Sequence, residues 1–216
     1  MPVVHHPGFG GSVRYQPVTL PDDPDMQVAA TIDLMRQYAR EDSQSPAIHL
    51  EALQAIGEHP GSPEEAIFRW VKRRVQFLND EHTAQPLGVF EIPVVEVLIR
   101  PIDLAAMCSN GGCRRAGDCD DFSMYGAALL LALGRRVSFV TVAADAADPE
   151  RFSHVYLASY GPTGRVPLDI SHGPAVGWET QHYARREEWP IEDGSQWLAL
   201  AAVAGAAYFL TRRVAA

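Results

Sequence analysis

The sequence predicts an α+β fold in which N-terminal helices precede a central buried helix and an antiparallel sheet follows it. Three observations carry this. Residues 119 to 133 are apolar nearly all round until Gly134, the pattern of a helix buried on most sides. Segments 152–160 and 165–170 alternate like strands across the turn Gly161-Pro162-Thr163-Gly164, a hairpin signature. Ahead of them, apolar residues recur at helical spacing. At 216 residues and 47% hydrophobic, the chain can bury one sizeable core.

In chain order, residues 1–25 hold many Pro, Gly and Asp and no helical period, so they are expected as an extended arm. Residues 26–190 are expected as the main domain. Val28, Ile32, Met35 and Ala39 place a first helix over Met26 to Arg40, and a second is expected over Ala47 to Ile56. Ser62-Pro63-Glu64-Glu65 starts a third: a capping serine, proline at the first helical position and acids in the first turn. Ile92 to Ile99 is apolar and reads as a strand or a short helix, and Cys108 to Gly117 as a cysteine-rich loop. Asp118 is placed to cap the central helix, and Val137 to Val142 reads as a strand.

The last segment, 195–213, is expected as an apolar helix. Trp197 to Leu210 carries no charge and precedes Arg212-Arg213. As a helix it spans about 21 Å, short of the roughly 30 Å hydrocarbon core. Small residues at four-residue spacing, Ala201 with Gly205 and Ala202 with Ala206, also permit close packing. Both a membrane anchor and a helix packed on protein fit this pattern.

A formal charge of −9 and a pI near 5.3 exclude a dedicated nucleic-acid binder, which needs clustered Lys and Arg. The pairs Arg114-Arg115 and Arg135-Arg136 and the run Lys72-Arg73-Arg74 are expected on solvated faces. Three cysteines are too few for a disulfide scaffold and leave at least one thiol free. The start Met1 to Gly8 lacks the basic and apolar regions of a secretory signal.

The chemistry centres on Gly117-Asp118-Cys119-Asp120-Asp121, followed by Ser153-His154-Val155-Tyr156 and Leu168-Asp169-Ile170. This is the chain order of a Cys/His/Asp nucleophilic site. A helix N-terminus favours the reactive thiolate of Cys119. Asp118, Asp120 and Asp121 oppose it, so a nearby imidazole is needed. If Tyr160 faces Arg165 across the turn, Tyr156 faces Asp169 and His154 shares their side of the sheet. Asp169 then neighbours His154 and can orient its ring. A register shift of one residue would put the two on opposite faces. His172, near Asp169, is an alternate base but falls past the strand end, where a surface position is expected. Trp70 and Trp178 are expected as core or cleft-wall aromatics.

These three motifs resemble the transglutaminase-like superfamily, with its Gly-Asp-Cys helix start, Ser/Thr-His-Val strand and Leu-Asp-Pro strand end. Residues 63–77 are similar to the helix before the core, Val95 to Pro101 resembles the segment leading to the nucleophile in bacteriophage-encoded members, and the likeness covers about residues 25 to 185, including Val176-Gly177-Trp178-Glu179. Ile170 stands where proline is usual. The resemblance implies a papain-like core and acyl transfer on an amide: Cys119 attacks, His154 shuttles protons and Asp169 orients it. It implies a peptide or protein substrate, hydrolysis ahead of cross-linking, and no cofactor or metal. It further suggests a virion or tail component, made in host cytoplasm, with residues 1–25 and the C-terminal helix as docking segments. Two rival readings stand beside it. One is an inactive assembly protein that keeps the fold; the other is a zinc protein using Cys108, Cys113, Cys119 and His154 or His172, at a spacing unlike closed zinc sites. Cys108 and Cys113 also read as a redox-sensitive pair or as two unlinked thiols.

Overall fold

The structure is a computed structural model that describes residues 3–5, 12–14, 20–79, 97–107 and 115–191. Within the arm, β1 (Val3–His5) and β2 (Ser12–Arg14) pair antiparallel. Cys108, Cys113, residues 92–96 and the apolar tail lie outside the described residues.

Each N-terminal helix starts where a polar side chain caps it and a proline follows. Asp23 accepts from the Met26 N–H at 2.9 Å to open α1 (Pro24–Ser43). Ser45 opens α2 (Pro46–Glu58), and Ser62 accepts from Glu65 N–H at 3.1 Å to open α3 (Pro63–Arg74). The predicted stripe of α1 buries Ile32, Met35 and Ala39, with Val28 packed against them. Trp70 is core. The basic run Lys72-Arg73-Arg74 occupies the last turn of α3, where the dipole favours cations.

Two short elements were not legible. β3 (Val75–Phe77) pairs in parallel with β4 (Arg115–Gly117), and Leu78 N–H donates to Gly117 O at 2.8 Å. Between them, the stretch read as strand or short helix has no regular structure at residues 97–100, and helix α4 (Pro101–Ala106) begins only at the proline. Arg100 and the Ile102 N–H both bind Asp42, which holds this segment against the end of α1.

Arg115 corrects the expectation of a solvated basic pair. It is 2% exposed, since Glu51 of α2 supplies a countercharge and its two terminal nitrogens also donate to Tyr125 and the Ala105 carbonyl, leaving Nε without a hydrogen bond among the described residues. A buried cation needs this kind of pairing.

The central helix α5 (Cys119–Ala132) is buried continuously from Asp120 to Leu130 and touches α1, α2, α3 and the sheet. The sheet comprises β5 (Arg136–Val142), β6 (His154–Gly161), β7 (Gly164–Leu168) and β8 (Arg186–Pro190). Its order is β7-β6-β5-β8, with every neighbouring pair antiparallel. Alternation sorts the faces: Val137, Phe139, Val155 and Leu157 join the main core, whereas Val140, Val142, Tyr156 and Ala158 form a second cluster. Tyr160 pairs with Arg165 and Gly161 with Gly164, the register expected from the turn. The class is therefore α+β, with the central helix laid on one face of an antiparallel sheet.

Gly126 sets how closely these layers approach. A Cβ there would lie 2.7 Å from Ile170 Cδ1 and 2.9 Å from Leu157 Cδ2, so a side chain at this point would force the ends of Ile170 and Leu157 to shift. Ile170 is 2% exposed and belongs to the core.

Candidate active site

Cys119 occupies the first position of α5, where the chain turns from β4 into the helix. Asp118 caps the helix by accepting from the Asp120 N–H at 3.1 Å. Asp121 completes a capping box, taking the Asp118 N–H at 3.3 Å and the Ile99 N–H at 2.7 Å on its two oxygens. The glycine of the motif follows from this: a Cβ at Gly117 would overlap the Asp121 side chain. Asp121 is thus a structural acid.

The hairpin brings the other two residues together. His154 begins β6 and Asp169 follows β7 by one residue. His154 Nε2 lies 2.8 Å from Asp169 Oδ2. Asp169 is fully buried and takes three further hydrogen bonds, from the His172 N–H at 3.0 Å, Ser171 Oγ at 3.2 Å and Thr180 Oγ1 at 3.4 Å. Burial would raise its carboxyl pKa, but the His154 hydrogen bond and charge, with the His172 N–H and the His172 charge, outweigh this and hold it low. An ionised carboxylate only accepts, so Nε2 of His154 carries a proton and neutral His154 keeps its lone pair on Nδ1. That is the tautomer a base needs.

The thiol is placed less favourably. Cys119 is half-buried and its Sγ is 3.4 Å from Asp120 Oδ1. Burial, then the Asp120 and Asp118 charges, push its pKa well up, while a hydrogen bond from the Val155 backbone pulls it down. Asp120 and Asp118 thus weigh against ionisation of the thiol.

Sequence reasoning named His172 but not the shell that holds it. Its ring is exposed, as expected, yet it meets His154 edge-on at 4.7 Å and Phe77 at 5.2 Å. Lys72 pins the loop from beneath, donating to Gly173 O at 2.7 Å. Burial and the His154 charge lower the His172 pKa, with Asp169 opposing and Lys72 adding to the effect. Thr180 and Lys72 had no sequence signal, because neither belongs to a motif: Thr180 comes from the chain eleven residues past Asp169 and Lys72 from α3.

Cys119 and His154 line one cleft of about 390 Å³, walled by the first half of α1 and by the loop between β5 and β6. Its mouth carries Asp145, Asp148 and Arg151, all exposed. Among the described residues, two groups present three metal-ligand atoms within 4.8 Å: His154 with Asp169 and His172, and Asp118 with Cys119 and Asp120. No helix among the described residues is long and apolar enough to cross a membrane.

Among the solved structures that resemble the chain are the following two. One, a candidate cysteine protease from Cytophaga hutchinsonii, is 18% identical with a TM-score of 0.43, over 81% of this chain and 61% of its own. The other, a transglutaminase, is 16% identical with a TM-score of 0.34, over 76% of this chain and 37% of its own. The chain thus spans about three fifths of the first and just over a third of the second. No family model and no curated protein matches the sequence.

Proposed function

We propose that the protein is a transglutaminase-like cysteine hydrolase that cleaves an amide bond in a peptide or protein. The observation that carries this reading is the 2.8 Å His154–Asp169 pair in the cleft that also holds Cys119 at a helix N-terminus. His154 Nδ1 takes the Cys119 proton as Sγ attacks the amide carbonyl. Asp169 stabilises the imidazolium so formed. The oxyanion is held by the Cys119 N–H in the first turn of α5. His154 then protonates the leaving amine, and water, activated by the same imidazole, attacks the thioester. Water is the favoured acceptor because the cleft opens to solvent through an exposed loop.

A thiol-reactive amide mimic tests the reading. Cys119 should label faster than Cys108 and Cys113, and His154→Ala should slow it on the order of 10³–10⁴-fold. Equal rates at the three thiols, with no effect of His154→Ala, would sink the catalytic role. Equal labelling would instead select the second reading, an inactive assembly protein. The proline-rich arm, the apolar tail and the motif flanks support a particle-borne enzyme of bacteriophage type. On that reading, deleting residues 1–19 or 195–216 should release it from the particle.

A further inference from the structure

The His154, Asp169 and His172 side chains form a group that the hydrolytic reading uses only in part. Acyl transfer needs His154 and Asp169, whereas His172 contributes only its backbone N–H to Asp169. Its ring nevertheless stands edge-on to His154 at 4.7 Å, held by Phe77 on one side and by a loop that Lys72 ties down. The hydrogen bonds assign its tautomer. Ser171 Oγ donates to Asp169 Oδ1 at 3.2 Å, so at 2.9 Å it accepts from His172 Nδ1. His172 Nε2 therefore carries the lone pair. One ligand atom from each of the three residues lies within 4.8 Å of the others, and the exposed His172 gives solvent a way in.

We propose that His154, His172 and Asp169 bind a divalent transition-metal ion of the Zn²⁺ type, and that the ion switches the hydrolase off. Two imidazoles and a carboxylate with a fourth position open to water make a ligand set that Zn²⁺ accepts. Two metal–ligand bonds of about 2.0–2.1 Å at a tetrahedral angle separate the donor atoms by roughly 3.3 Å. The 2.8 Å between His154 Nε2 and Asp169 Oδ2 must then open by about half an ångström. Ser171, Thr180 and the His172 N–H already hold the carboxylate in place, the outer support that metal-bound carboxylates use.

The inhibition follows from proton bookkeeping and rests on the hydrolytic reading; the binding does not. When the ion bonds to Nε2 of neutral His154, the Nε2 proton leaves and solvent delivers one to Nδ1. The ring stays neutral, no net proton is released, and no lone pair remains to accept the Cys119 proton. The metal therefore stops the base by reversing its tautomer, without touching the thiol. This differs from a thiolate zinc site built on Cys108, Cys113 and Cys119, which would give sulfur-to-metal charge transfer.

The test is a Co²⁺ and Zn²⁺ titration of the full chain, followed by absorption and calorimetry. One ion per chain should bind, with Co²⁺ giving visible d–d bands and no near-ultraviolet thiolate band. Cys119→Ala should leave the affinity unchanged, and His172→Gln should lower it at least about tenfold. Because His172 is exposed, the variant should melt with the wild type when metal-free. A thiolate band lost in Cys119→Ala, or equal affinity in His172→Gln, would overturn the proposal. If the ion binds as described while Cys119 of the metal-free protein labels no faster than Cys108 and Cys113, the metal site stands and the hydrolytic reading falls.

Discussion

Replacing Asp169 by asparagine tests the orientation of the site more sharply than removing the side chain. Asp169 receives donors on both oxygens: His154 Nε2 and Thr180 on Oδ2, and the His172 N–H and Ser171 on Oδ1. An asparagine must direct its NH₂ to one side. The backbone N–H of His172 cannot become an acceptor, whereas an imidazole nitrogen can, so the NH₂ takes the Oδ2 position. His154 is then driven to the Nδ1–H tautomer, which leaves no base for the thiol. The expected loss in Cys119 acylation is on the order of 10³–10⁴-fold, the scale seen when the orienting carboxylate of a triad becomes an amide. That equals about 4–5.5 kcal/mol in the barrier. The assay is the rate of Cys119 modification by an amide-mimic probe, with the thermal midpoint followed in parallel. A folded Asp169→Asn protein that labels within about threefold of wild type would refute the tautomer argument.

Three further outcomes follow. Asp120→Asn removes a charge that holds the Cys119 pKa up, so thiolate absorbance should appear at lower pH than in wild type; an unchanged titration would count against Asp120 as a cause. Gly126→Ala forces a methyl into Ile170 and Leu157 and should cost about 1–3 kcal/mol in denaturant unfolding, whereas Gly164→Ala, at an open turn with φ 100°, should act through backbone strain alone. Arg115→Met strands the Glu51 carboxylate and should cost about 3–5 kcal/mol; the double variant Arg115→Met with Glu51→Leu should recover much of it, and failure to recover would show that the pair is not the source.

Signals confined to a few consecutive residues were read correctly. The caps at Ser62 and Asp118 need only their own first turn, and the hairpin register needs only the two residues between Gly161 and Gly164. The His154–Asp169 contact follows from that register. What escaped depends on partners far along the chain. Arg115 looks like half of a surface pair until Glu51 on another helix is placed beside it. β8 was missed because Arg186-Glu187-Glu188-Trp189-Pro190 has the charge of an exposed loop. It pairs only because it lies at the sheet edge, where exposed charge is usual. The structural part that Asp121 plays was missed for a related reason: its partner, the Ile99 N–H, comes from a segment whose position no local pattern gives.

The parallel pairing of Phe77 with Gly117 has a consequence for chain length. It joins the end of α3 to the entrance of α5, so everything between Leu78 and Arg114 leaves and returns at one fixed point. A loop with clamped ends can lengthen cheaply, at roughly 0.6 kcal/mol for each doubling. A change of length between Leu78 and Arg114 therefore leaves Cys119 in place so long as residues 97–107 keep their contacts with Asp42, Asp121 and the core.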